Sequence, residues 1–122
     1  MSSRKASQPQ PAGEIEVDID EGKIRTGAYL LSQLKKTYND YVWMLAEADL
    51  KLSKVFPEGT NPLKGPTPKS IRLNPSKIIA EPLQGDIKKL AESIAKQGIK
   101  IQDLHWFIAI RNYLIDELKN KK

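Results

Sequence analysis

Apolar residues run through the middle of the chain at helical spacing. Leu31, Leu34, Tyr38, Tyr41, Leu45, Ala48, Leu52 and Val55 follow one another at gaps of three and four. That period predicts one long amphipathic helix of roughly seven to eight turns, with Thr26 as its N-cap and Pro57 as its stop. The stripe must pack on another helix or another chain. Leu31, Leu34, Tyr38, Tyr41 and Leu45 are therefore candidate partner-binding residues, and the repeat also suits a coiled-coil seam and self-association. Trp43 falls off the stripe, near Lys36, Asp40, Glu47 and Leu50, so it needs a second contact: a loop, a partner or a stacked base.

Two more helices follow towards the C-terminus. In "GDIKKLAESIAKQG", Asp86 is the expected cap, Ile87, Leu90, Ala91, Ile94 and Ala95 form an inner face, and Gly98 suits the C′ position. After a short link, Asp103 is placed to cap a helix whose apolar residues, Leu104 to Leu118, wrap nearly all the way round. Such a helix is largely buried. Arg111 stands among them and needs an acidic partner or a path to the surface.

Two segments break the helical period. "EIEVDID" alternates strictly, with Ile15, Val17 and Ile19 on one side and Glu16, Asp18 and Asp20 on the other, which is a strand period without an evident second strand. Residues 57–85 hold six of the eight prolines and read as an irregular loop. Its Ile71, Leu73, Ile78, Ile79 and Leu83 imply that it packs on the body. The expectation is a mainly α-helical protein: a small bundle with a long N-terminal helix, an irregular proline-rich loop and two C-terminal helices. Residues 1–22 form a disordered or extended acidic arm and residues 23–122 one domain.

Composition adds partners rather than chemistry. The chain of 122 residues has a net charge of +5, and residues 23–122 carry 18 basic against 10 acidic groups. That sign attracts polyanions. From Gly59 to Ala80 there is no acid, while Lys64, Lys69, Arg72 and Lys77 project from a proline-stiffened backbone. Spaced cations on an extended strip suit a phosphate backbone. Thr67, Ser70 and Asn74 could add hydrogen bonds, and Lys35 and Lys36 are further candidate phosphate contacts. A solvated connecting loop would look the same.

Catalytic constellations are missing from the sequence. His105 is the sole histidine and there is no cysteine, so a metal site of those ligands has no material. "GPTPKS" has Pro68 where a phosphate-binding loop needs glycine. The spacings Ser32–Lys35 and Ser93–Lys96 lack companion motifs. No enzyme activity and no cofactor are expected. Without cysteine or a bilayer-spanning run, a cytoplasmic protein is expected.

"SQLKKTYND", Ser32 to Asp40, resembles a helix of the small helical subunit of type III CRISPR effector complexes. The resemblance implies a non-catalytic subunit, present in several copies along a guide RNA–target duplex, with Lys35 in place of the family's basic residue. "IRLNPSKIIAEPLQGDIKKLAESIAKQGI", Ile71 to Ile99, is similar to the start of partition-protein nuclease-like domains, without the arginine motif that follows there. The expected function is a non-enzymatic, nucleic-acid-associated small subunit of a larger assembly, with a sequence-independent grip on RNA or DNA. The alternative is a protein–protein adaptor or structural subunit whose amphipathic helix binds a partner chain.

Overall fold

The computed structural model describes residues 14–56, 63, 67–74 and 81–120. The protein is mainly helical, with four helices and a two-stranded sheet in the order β1 (Ile15–Asp18), α1 (Glu21–Gln33), α2 (Tyr38–Leu52), β2 (Ser70–Leu73), α3 (Gln84–Lys96) and α4 (Ile101–Asn120). The bundle is built around α4, which packs on α1 and α2, while α3 leans on α2.

The long helix expected from the central stripe is two helices. Asp20, not Thr26, caps α1, its carboxylate accepting from the Lys23 N–H at 3.1 Å. The chain then turns at Leu34–Thr37, with Lys35 in the left-handed region at φ 53°. Thr37 opens α2 with a capping box: its hydroxyl accepts from the Asp40 N–H at 3.1 Å and the Asp40 carboxylate accepts from the Thr37 N–H at 3.3 Å. Satisfying two amide donors locally makes a new helix start competitive with an uninterrupted one. Tyr41 fastens the corner from inside. Its hydroxyl donates to the Leu31 carbonyl at 2.6 Å and accepts from the Lys36 N–H at 3.3 Å. The "SQLKKTYND" stretch thus straddles a corner rather than forming one helix.

The acidic alternating segment has a partner after all. β1 pairs antiparallel with β2, Ile15 opposite Leu73, Glu16 opposite Arg72, Val17 opposite Ile71 and Asp18 opposite Ser70. Val17, Ile71 and Leu73 are buried; Glu16, Asp18 and Arg72 face outward. Part of the proline-rich loop is therefore a strand, anchored by the Asn74 N–H donating to the Val55 carbonyl at 2.8 Å. Ile71 and Leu73 pack as expected, whereas Leu83 is exposed; Ile78 and Ile79 lie outside the described residues.

The C-terminal half follows its pattern more closely. Gly98 takes φ +67° immediately after α3, the left-handed C′ conformation. Leu83 rather than Asp86 is the N-cap of α3, and α4 starts at Ile101, before Asp103; both acids sit in the first turn, where they still complement the helix dipole. Buried residues recur all along α4, from Leu104 to Leu118. Arg111 is the buried charge of this core, only 7% exposed. Its Nε donates to Asp49 at 2.9 Å and its Nη1 to the Phe107 carbonyl at 3.0 Å.

Candidate interaction surface

Most of the apolar residues expected to meet a partner are used inside the molecule. Leu31, Tyr41 and Leu45 are buried in the core. Tyr38 is half-buried and its hydroxyl donates to the Ile99 carbonyl at 2.7 Å, holding the start of α2 to the α3–α4 link. Trp43 is at the surface, and the loop contact considered for it is made instead by Trp106, whose Nε1 donates to the Thr67 hydroxyl at 3.1 Å. Breaking the helix at residues 34–37 is what separates these roles. The stripe keeps its period in sequence but turns a corner in space.

Leu34 does remain outside, and it has neighbours that the stripe did not include. Tyr29 is 62% exposed, Leu30 59% and Leu34 53%. With Gly22, Thr26 and Gln33, all exposed, Tyr29 and Leu30 occupy the side of α1 opposite Ile24 and Leu31, which are buried, and Leu34 follows as the exposed C-cap. Ile24 and Leu31 face the bundle, and Gly27 lies where α1 crosses α4: a Cβ there would stand 3.5 Å from that of Ala109. The unbroken "AYLL" run, wider than a one-sided stripe, was the signal for this second face. At its ends the charge is opposite. Exposed Glu16, Asp18, Asp20 and Glu21 gather at the start of α1; exposed Lys35 and Lys36 follow its end.

The cationic strip is only partly on view. Lys64 and Lys77 lie outside the described residues. Lys69 and Arg72 are exposed, and among the described residues no acid comes within 4.0 Å of either. Yet the strand beside them is acidic: Glu16 is directly opposite Arg72, and the Ser70 hydroxyl donates to the Glu16 carboxylate at 2.9 Å. Ser70 and Thr67 thus have partners within the chain, and Asn74 bonds to Val55 through its backbone. Lys35 and Lys36 sit at the far end of α1, about 20 Å of helix away from the sheet. Of the twenty basic residues, Arg4, Lys5, Lys64, Lys77, Lys121 and Lys122 lie outside the described residues.

Two recesses stand out among the described residues. One, of about 300 Å³, lies between α1 and α4 and is lined by Lys23, Gly27, Tyr113, Asp116 and Glu117 among others. The other, of about 730 Å³, lies between α2, α3 and α4 and is lined by Leu45, Leu90, Ile94, Phe107 and the Arg111–Asp49 pair among others. No His, Cys, Asp or Glu cluster suited to a metal ion occurs among the described residues, and no helix there is long and apolar enough to cross a membrane. His105 stacks edge-on against Tyr41 at 4.5 Å, and its Nε2 has no hydrogen-bond partner among the described residues. Burial holds its pKa below the usual 6.5. Burial, then the nearby Glu117, raises that of Tyr113, whose hydroxyl donates to the Asp18 carbonyl at 2.8 Å. No protein-family model, curated protein or solved structure matches this chain.

Proposed function

We propose that this protein is a non-enzymatic interaction subunit whose partner is a polypeptide bound on the outer face of α1. The observation that carries this reading is the exposure of Tyr29, Leu30 and Leu34, three large apolar side chains within six residues at the C-terminal end of α1 and its cap. An aromatic and two leucines, rimmed by Lys35 and Lys36, have the apolar-centre, polar-rim composition of a protein contact.

The test is a photo-crosslinking amino acid at position 29, in the cells that make the protein. One adduct of defined mass, lost when Leu34→Glu is added, is the expected result. A ladder of unrelated adducts, or none, would refute the reading.

A second reading, contact with nucleic acid, is favoured by Lys69 and Arg72, exposed and without an ion pair among the described residues. The resemblance at Ser32–Asp40 would add Lys35. Labelled single-stranded RNA and duplex DNA should then bind with an affinity that falls steeply with salt and is lost in the Lys69→Glu/Arg72→Glu double variant. Absence of binding at low salt would remove this reading.

A further inference from the structure

We infer that the polypeptide on the outer face of α1 is a second copy of this chain, its α1 packed antiparallel on the first across a two-fold axis near Thr26. The inference rests on the protein-contact reading above and names its partner. A two-fold contact must be self-complementary, each end of the patch meeting the opposite end of the same patch. The α1 face meets that condition twice.

The first match is in charge. Acids Glu16, Asp18, Asp20 and Glu21 stand at the start of α1 and Lys35 and Lys36 beyond its end, all exposed. A parallel pairing would set acids against acids and lysines against lysines. An antiparallel pairing sets the acidic end of each copy against the lysines of the other, and also opposes the two helix dipoles. Arg25 is held within its own helix by Glu21 at 4.0 Å.

The second match is in shape. Gly22, Thr26, Tyr29, Leu30 and Gln33 recur at spacings that keep them on one side of a helix. Of these five the first two are small and the last three bulky, with exposed Lys23 and Arg25 flanking the small end. With the axis at Thr26, Leu30 of one copy lies over Gly22 of the other, and Tyr29 beside it. Gly22 presents no side chain, so a leucine can approach the backbone there. The bundle contacts of α1, through Ile24, Gly27 and Leu31, are undisturbed.

One helix against one helix is a contact at the small end of specific interfaces, so the dimer should be reversible and concentration-dependent. Light scattering on the intact chain across a wide concentration range should show the mass rise from 13.7 kDa towards twice that value. Leu30→Glu should weaken the dimer about ten-fold or more while circular dichroism stays unchanged, because Leu30 is 59% exposed in the monomer. The chain has no cysteine, so Thr26→Cys offers a single thiol on the axis. Mild oxidation should couple it to itself, whereas Lys89→Cys on exposed α3 should stay monomeric. Charge-reversed chains, Lys35→Glu/Lys36→Glu and Glu16→Lys/Asp18→Lys, should each dimerise poorly alone and well when mixed.

A mass of one chain at every concentration would overturn the inference. So would a dimer indifferent to Leu30→Glu and uncoupled by Thr26→Cys. If the position-29 adduct contains another protein while the chain alone stays monomeric, the second-copy inference fails and the protein-contact reading stands. If there is no adduct at all, both fail.

Discussion

Removing the carboxylate of Asp49 leaves Arg111 charged in the core. Arg111 is 7% exposed and Asp49 is the acid it touches, at 2.9 Å. The remaining bond, from Nη1 to the Phe107 carbonyl, cannot offset the lost charge pairing. Breaking one side of a buried pair costs about 3–5 kcal/mol. The Asp49 side chain is 22% exposed, so water can reach part of the site and the low end of that range applies, about 3 kcal/mol. With a urea m-value of about 2 kcal/mol per molar, Asp49→Ala should lower the unfolding midpoint by roughly 1.5 M. The companion variant Asp49→Leu/Arg111→Met removes both charges and fills similar volume. It should fall within about 1 kcal/mol of the parent or exceed it. Urea titrations followed by tryptophan fluorescence and by circular dichroism measure both, and coincident curves would license the two-state treatment. A midpoint for Asp49→Ala within about 0.3 M of the parent would refute the reasoning, because it would mean that Arg111 reaches solvent at negligible cost.

Tyr41→Phe should cost about 1–2 kcal/mol in the same assay, since it strips the buried Leu31 carbonyl of its 2.6 Å donor at the α1–α2 corner; a loss below about 0.5 kcal/mol would mean the corner holds without it. His105 gives a pH dependence. Its folded pKa is lowered by burial, so the unfolded chain takes up the proton first and stability falls as pH drops below about 6.5. In His105→Phe that decline should flatten relative to the parent, read as urea midpoints between pH 7.5 and 5; an unchanged slope would assign the decline to other groups.

The helical class and the two C-terminal helices were legible because α3 and α4 are punctuated by their own residues, Gly98 above all. The α1–α2 corner was not, because its apolar spacing never falters: Leu34 to Tyr38 is an ordinary four-residue step. Periodicity reports which side of the chain is apolar and is blind to a change of axis. The sign was the Thr37–Asp40 capping pair, a weaker pattern than a proline or glycine. The pairing of β1 was hidden for a different reason. "SIRL" alternates over only four residues, inside a segment whose prolines dominate its reading. For the candidate surface, the terminal charges of α1 could be read directly, whereas the outward direction of Tyr29 and Leu30 depended on knowing that Ile24 and Leu31 face α4.

The sheet also orders events in time. Ile15 finds its partner at Leu73, and Tyr113 later grips the carbonyl of Asp18. During synthesis, α1 and α2 can form from neighbouring residues while β1 waits for more than fifty residues to be added. A pairing across that span must first meet the entropy of closing a long loop, so it comes after the local helices and opens before them. The N-terminal strand is therefore a clasp fastened last. When it opens, the acidic end of α1 loses its place, and with it half of the surface on which a second copy would dock.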